Sequence, residues 1–142
     1  NEIELLAETE LKKLNDSLLS FAEKLHDMPV FDIRGYFQLF VDEKIKIWLI
    51  GNSSLMIFRE NRLNTSLENP FEENAKIDTF TDFIGGETLQ GDAYLYAGMR
   101  LADALDQNDV EEMQALLEEQ NVSVLIDALD AVLSSRVDKS EI

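Results

Sequence analysis

Residues 11–62 constrain the fold most, because one amphipathic helical pattern is followed by three short strand patterns that are apolar on both faces. Five apolar residues recur at steps of three and four, the spacing of one helix face: Leu11, Leu14, Leu18, Phe21 and Leu25. We predict a helix over residues 3–27 that packs this face into the core, and Pro29 stops it.

Three apolar stretches follow the helix at residues 35–41, 44–50 and 55–59, and short polar turns separate them. They predict a three-stranded antiparallel meander. Because side chains alternate across a strand, one set faces the core beneath the helix: Phe37, Leu39, Val41, Ile45, Ile47, Leu49, Leu55 and Ile57. The opposite face then carries Tyr36, Phe40, Trp48, Ile50, Met56 and Phe58.

The second apolar face needs a cover, because an antiparallel sheet commonly presents polar residues on its outer face. Three covers are open: another helix of the same chain, a second subunit, or a peptide of a partner protein. Aromatic residues and methionine provide large, adaptable contact areas, so five residues of this face are the predicted partner-binding residues: Phe40, Trp48, Ile50, Met56 and Phe58.

The rest of the chain predicts further strands and helices. Residues 62–84 contain few large apolar residues and are predicted to form a loop or a short helix, and strands are predicted over residues 87–99. Helices are predicted over residues 109–135, with an acidic cap at Asp109 and Glu112 three positions later. The prediction is one α+β domain over residues 1–142, with an N-terminal helix and C-terminal helices packed on a twisted antiparallel sheet.

Composition narrows the possible partners and compartments. The 29 acidic residues and 12 basic residues give a formal net charge of -17. This charge repels nucleic-acid phosphates and anionic membranes, so we expect neither as a partner. The chain contains no cysteine, which fits a reducing compartment. The sequence shows no apolar run of membrane-spanning length, and we expect a cytoplasmic protein.

Candidate chemistry is sparse in this sequence. The single histidine, His26, falls at the predicted end of the first helix, and no suitable serine pattern accompanies it. The pair Gly85 and Gly86 lacks the further glycines and the lysine of a phosphate-binding loop. We therefore expect no enzyme activity, no cofactor and no metal site.

A family resemblance rests on the order and spacing of several residues. The run from Leu18 to Leu25 is linked through Pro29 to Phe31, Asp32 and Gly35, and Leu39, Phe40 and Asp42 then precede two more short strands. Over about residues 10–63 this pattern resembles the front half of class I type III secretion chaperones. The resemblance implies a non-enzymatic homodimer that binds an effector or a regulatory protein and keeps it export-competent or sequestered. The family usually has a well-formed helix between its third and fourth strands, and this chain departs from that pattern.

The charge of -17 supports a different hypothesis, an acidic inhibitor. Such a protein would block a basic toxin as an immunity protein does, or would mimic nucleic acid. Its affinity would fall steeply as ionic strength rises, whereas an apolar binding surface would keep its affinity.

Overall fold

The computed structural model describes residues 2–25, 32–70, 75–81 and 83–136. Its elements are α1 (Glu2–Glu23), β1 (Gly35–Val41), β2 (Lys44–Ile50), β3 (Ser54–Arg59), β4 (Arg62–Glu68), β5 (Ile84–Glu87), β6 (Ala93–Ala97), α2 (Leu101–Ala104), α3 (Gln107–Glu118) and α4 (Val122–Arg136). The fold is α+β, as predicted, with an N-terminal helix, two small antiparallel sheets and C-terminal helices. His26, Pro29 and Phe31 lie outside the described residues.

Sheet I has the strand order β1-β2-β5, and both of its strand pairs are antiparallel. A two-residue turn joins β1 to β2, and its residues Asp42 and Glu43 have φ angles of 50° and 62°. Two consecutive positive φ angles are typical of the type I′ turn, whose twist matches that of the flanking strands. The turn fixes the register of the hairpin, so Val41 lies opposite Lys44.

This register decides which side chains share a face of sheet I, because directly opposed residues point to the same side. A two-residue turn pairs odd-numbered residues of β1 with even-numbered residues of β2, as in the pair Phe37 and Trp48. Our prediction that Phe37 shares a face with Ile47 is therefore wrong. Face A carries Phe37, Leu39, Val41, Lys46, Trp48 and Ile50. Face B carries Tyr36, Gln38, Phe40, Ile45, Ile47 and Leu49.

Sheet II has the strand order β4-β3-β6, so the predicted meander is wrong in its third strand. Gly51 turns the chain out of sheet I with a φ angle of 68°. The amide of Ser53 donates to the carbonyl oxygen of Gly51 at 2.8 Å and closes this turn. A Cβ atom at Gly51 would overlap the carbonyl oxygen of Ile33, so the turn requires glycine.

Strand β4 occupies residues that we predicted to be a loop or a short helix. Glu60 and Asn61 have φ angles of 53° and 62°, which form a second type I′ turn and fold β4 back onto β3. Residues 75–81 contain no helix, and Phe80 forms an isolated bridge to Ile50. The predicted strands over residues 87–99 reduce to β6 and to Glu87, the last residue of β5.

Two hydrophobic cores hold the layers together. Face B of sheet I packs on one face of sheet II around Ile45, Ile47, Leu49 and Leu55, with Ile57, Leu67, Ile84, Tyr94 and Tyr96 beside them. The other face of sheet II packs against the C-terminal helices around Met56, Phe58, Leu101, Met113, Leu125 and Leu129. The chain therefore covers both faces of sheet II with its own residues.

The first long C-terminal helix begins earlier than predicted. Asp106, and not Asp109, is the N-cap of α3. The side chain of Asp106 accepts from the amide of Asp109 at 2.9 Å, and the carboxylate of Asp109 accepts from the amide of Asp106 at 2.8 Å. This reciprocal arrangement is a capping box with aspartate in the third position. The bond from the Asp106 amide, aided by Arg136, lowers the pKa of Asp109.

The face of α1 that packs against sheet I shares Leu11 and Leu18, with half-buried Leu25 just beyond the helix, with the predicted face but is rotated away from the rest of it. Leu11 is buried, but Leu14 and Phe21, which we predicted to be core residues, are exposed. The side chain of Asn15 donates to the carbonyl oxygen of Phe80 at 2.9 Å and accepts from its amide at 2.7 Å. This polar attachment turns the face of Asn15 toward the sheet, which places Leu14 and Phe21 on one flank.

Candidate partner-binding surface

Two of the predicted partner-binding residues lie inside the second core. Met56 and Phe58 expose only 3% and 2% of their surface. They pack with residues of the C-terminal helices, among them Met113 and Leu125. The C-terminal helices of the same chain therefore cover this face of β3. A helix of the same chain was one of the three possible covers considered from the sequence.

Trp48 and Ile50 are also buried, on face A of sheet I. The ring of Trp48 lies between two other rings, with centroid distances of 5.6 Å to Phe37 and 5.9 Å to Phe83. Phe37 and Phe83 are themselves exposed. Trp48 therefore forms the floor of an aromatic cluster, and Phe37 and Phe83 are the members that a partner reaches.

Phe40 is the predicted partner-binding residue that remains exposed, with 52% of its surface accessible. It belongs to β1, which also exposes Tyr36 and Phe37. These three rings project from both faces of one strand, because Tyr36 and Phe40 lie on face B and Phe37 lies on face A. β1 contains no charged residue. Sequence reasoning placed Tyr36 on the second face without choosing it as a partner-binding residue, and it missed Phe37 because it assigned that residue to the core.

The outer edge of β1 presents a defined set of backbone groups. The residues that flank a two-residue turn form a hydrogen-bonded pair, so the odd-numbered residues of β1 bond to β2. The N–H and C=O groups of Tyr36, Gln38 and Phe40 therefore point away from β2. Within the described part of the chain, β1 is an end strand that pairs with β2 alone. An edge without charge, proline or bulge is open to pairing with another strand.

Side chains of β1 contact those of β6 across the gap between the two sheets. Tyr36 stacks on Tyr96 with ring centroids 3.6 Å apart, and Phe40 meets the ring of Tyr94 edge-on at 6.0 Å. The hydroxyl of Tyr96 donates to the side-chain oxygen of Gln38. Burial raises the pKa of Tyr96, so this hydroxyl stays protonated and keeps its donor role.

A cavity of about 150 Å³ lies beside this contact, at the start of β1. Its lining includes Tyr36 and Tyr96, with Gly35 at the start of β1 and Gly98 directly after β6. An apolar cavity of this volume is large enough for a benzene-sized group. The cavity can therefore accept one apolar side chain from a molecule bound along β1.

Helix α1 adds exposed leucines to the same half of the molecule. At 100° per residue, Leu5 and Leu19 lie on one flank of its buried face and Leu14 lies on the other. All three are exposed, and so is Leu6. Both flanks of α1 therefore carry exposed leucine, so the flank that lies nearer to β1 is apolar in either case.

Lys46 connects α1 to the aromatic cluster. Its Nζ atom lies 3.0 Å from a carboxylate oxygen of Glu4, 3.3 Å from one of Glu8 and 4.1 Å from the ring centroid of Phe83. The hydrogen bond to Glu4 raises the pKa of Lys46 and lowers that of Glu4. Lys46 therefore stays charged, and its charge is matched by the two carboxylates beside it.

The C-terminal helices form a contrasting, acidic layer. From Leu101 to Arg136 the sequence contains nine acidic residues and one basic residue. Their one basic residue, Arg136, is paired with Asp106 and Asp109. Val122, Val124 and Ile126 are exposed on α4 within this acidic layer. The exposed apolar residues of α4 thus differ from the exposed rings of β1 in their electrostatic surroundings.

Residues 2–25, 32–70, 75–81 and 83–136 contain no group of three or more His, Cys, Asp or Glu residues that could hold a metal ion. In the same residues, no helix has both the length and the apolar character needed to cross a membrane. The position of His26, our only histidine candidate for catalysis, is outside these residues.

Comparisons of the chain with protein-family models, with curated proteins and with solved structures give no match. The function of this chain is therefore inferred from the geometry of its described residues.

Proposed function

We propose that this protein is a non-enzymatic chaperone of the type III secretion kind. It binds an apolar segment of a secreted effector or of a regulatory protein, and keeps that partner export-competent or sequestered. It works in the cytoplasm as a homodimer. It needs no cofactor or metal ion, and it binds neither nucleic acid nor membrane.

One observation carries this proposal: large apolar side chains are exposed on both flanks of α1, on both faces of β1 and at Phe83. We call this region the α1–β1 surface, formed by Leu5, Leu6, Leu14, Leu19, Tyr36, Phe37, Phe40 and Phe83. Extended exposed apolar surface on a soluble domain is typical of a protein interaction site. Of the five residues predicted from the sequence, Phe40 belongs to this surface.

The surface suits a partner segment that is unfolded. Leucine side chains adapt to different apolar partners, and the rings of Phe37 and Phe83 offer large rigid contact areas. An extended segment also adds backbone hydrogen bonds when it pairs with a strand edge. Binding of this kind depends on buried apolar area and is therefore weakly sensitive to salt.

A pull-down with a matched pair of triple variants tests the proposal. The full-length tagged protein is incubated with lysate of its native cells and washed at high salt, and the retained partner is identified. The test variant combines Leu5→Gln, Leu14→Gln and Leu19→Gln. The control variant combines Val122→Gln, Val124→Gln and Ile126→Gln, which removes three equally exposed apolar side chains from α4.

We expect one secreted or regulatory protein to be retained by the wild type and by the α4 control, and to be lost by the α1 variant. Binding of its isolated segment is then measured with purified proteins. Equal retention by both variants, or equal loss in both, would contradict a binding site on the α1–β1 surface.

A second candidate, the acidic inhibitor, is favoured by the nine acidic residues between Leu101 and Arg136. A basic toxin or a nucleic-acid-binding protein would bind this layer. Such a partner is expected to wash off at high salt, and to be lost when Glu111, Glu112, Glu118 and Glu119 are changed to glutamine. The α1 variant would retain it.

A further inference from the structure

We propose that β1 pairs antiparallel with β1 of a second copy of this chain, around a two-fold axis at Gln38. The pairing joins two copies of sheet I into one six-stranded sheet. This inference rests on the proposed function, of which a homodimer is part, and deepens it by naming the dimer interface.

The sequence of β1 is complementary to itself in this register. Each apolar residue meets an apolar residue, and the one polar side chain meets its own copy: Gly35 with Val41, Tyr36 with Phe40, Phe37 with Leu39, and Gln38 with Gln38. A two-fold interface requires this kind of self-complementarity, because the same patch lies on both sides. Aromatic and apolar cross-strand pairs also stabilise a sheet.

The backbone supports the same register. The outward N–H and C=O groups of β1 belong to Tyr36, Gln38 and Phe40. A register centred on Gln38 places Gln38 opposite Gln38 of the second copy, and Tyr36 opposite Phe40 of the second copy. Each of these three pairs exchanges two hydrogen bonds, so the interface gains about six backbone bonds. β6 does not compete for these groups in the described part of the chain, because its pairing partner is β3.

Charge favours β1 over β4 and β5 as the place where two copies meet, and length favours it over the uncharged five-residue edge strand β6. Two chains of net charge -17 repel each other, and a contact between them needs an uncharged region. β4 begins with Arg62 and ends with Glu68, and the four-residue β5 ends with Glu87. β1 has seven residues and no charge.

The pairing also partly covers the exposed rings of β1 on both faces, and it leaves the leucines of α1 and Phe83 for a partner protein. On face A, Phe37 packs against Leu39 of the second copy, and on face B, Tyr36 packs against Phe40 of the second copy. A stable interface buries about 800 Å² on each partner, which one row of backbone bonds does not supply. Side chains from both faces are needed, and β1 exposes rings on both.

Sedimentation equilibrium of the full-length protein tests the dimer. We expect a mass of twice the chain that falls toward the monomer on dilution. Gln38→Pro removes one outward N–H from each copy and leaves the bonds to β2 intact. It should weaken association by about tenfold or more, from the loss of two hydrogen bonds. Gln38→Val also loses the bond to Tyr96 but keeps the N–H, and it should remain a dimer.

Cysteine cross-linking tests the register, and the absence of native cysteine makes the result clear. A mixture of the Phe37→Cys and Leu39→Cys proteins should form a disulfide between chains under mild oxidation, because these two positions oppose each other about 4.5 Å apart. A mixture of Phe37→Cys with Val41→Cys is the control, because its cysteines meet only if the register shifts by two residues.

Three results would overturn the inference: a monomeric mass at all concentrations, a dimer that Gln38→Pro leaves unchanged, or stronger cross-linking in the control mixture than in the test mixture. Circular dichroism and Trp48 fluorescence confirm that each variant is folded. If Gln38→Pro does not fold, the cross-linking result decides alone. None of these measurements involves a partner protein. A dimer that Gln38→Pro leaves intact overturns the β1 interface alone, a monomeric mass also removes the homodimer from the proposed function, and partner binding is tested separately by the leucine variants of α1.

Discussion

Phe58 and Phe40 separate a core role from a surface role with one substitution each. Phe58→Ala removes a ring that is 2% exposed and is packed beneath the C-terminal helices. The lost transfer free energy is about 2 kcal/mol, and an unfilled cavity of about 100 Å³ adds about 2 kcal/mol. We expect a loss of about 4 kcal/mol of unfolding free energy. Phe40→Ala removes a half-exposed ring and should cost about 1 kcal/mol or less.

Equilibrium unfolding in urea measures both values. Trp48 is the single tryptophan and is buried, so its fluorescence reports unfolding directly. With a slope of about 2 kcal/mol per molar urea, Phe58→Ala should lower the midpoint by about 2 M and Phe40→Ala by about 0.5 M or less. Phe58→Leu keeps part of the contact and serves as an intermediate case if the alanine variant does not fold.

Similar midpoints for Phe58→Ala and the wild type would refute this reasoning, because they would mean that Phe58 is not enclosed by the C-terminal helices. Phe58 would then again be a candidate partner-binding residue, as the sequence predicted. A large loss of stability in Phe40→Ala would refute the other half, since it would show that Phe40 is enclosed in solution.

Three further predictions concern turns and charge. Gly51→Ala should lower the thermal midpoint far more than Gly91→Ala, because both have positive φ angles but a Cβ atom overlaps backbone at Gly51 alone of the two. Arg59 lowers the pKa of Asp92 below its ordinary 3.8, so this pair stabilises the fold above that pH and the contribution is lost as pH falls through the lowered pKa. Asp92→Asn should therefore flatten the acid limb of a pH series of urea midpoints. Glu43→Gly should raise the unfolding free energy by about 0.5–1 kcal/mol, because residue 43 has a left-handed backbone. An unchanged or lower midpoint would contradict that.

Local patterns predicted α1 and the hairpin of β1 and β2, because both depend on short-range periodicity and turn chemistry. The register of that hairpin was also accessible from the sequence. A two-residue turn pairs Val41 with Lys44, and counting back from that pair gives Phe37 opposite Trp48. The error was to continue the alternation of side chains through the turn without applying the pairing rule.

The sequence of β4 also has a strand pattern, although this segment contains few large apolar residues. Leu63, Thr65 and Leu67 alternate with Asn64 and Ser66, the period of a half-buried strand. The division of β2 and β3 between two sheets had no comparable local signal. It depends on the close approach of Gly51 to Ile33 and on packing between strands that are distant in sequence. Such packing overrides the expectation that consecutive strands pair.

Of the five predicted partner-binding residues, the structure buries four and leaves Phe40 exposed. The sequence showed correctly that the strands have two apolar faces, but both faces of β3 are buried by other parts of the chain. Sequence periodicity gives the faces of a strand and does not say which layer covers them. The hydrogen bonds between Asn15 and Phe80 could not be predicted either, because a polar residue on an amphipathic helix is expected to face solvent.

The absence of charge from β1 indicates why this strand exposes three aromatic rings. An edge strand that had only to remain soluble would carry lysine, glutamate or a bulge. This chain has 29 acidic residues, yet β1 contains none of them. The exposed rings of β1 therefore indicate that a second chain binds along this strand.

Gln38→Pro acts on the backbone of β1, and the triple leucine variant acts on α1. If the proline variant dissociates the dimer and still binds the partner, the edge belongs to the second copy and α1 holds the partner. If it loses the partner without a change in mass, the partner itself is the added strand.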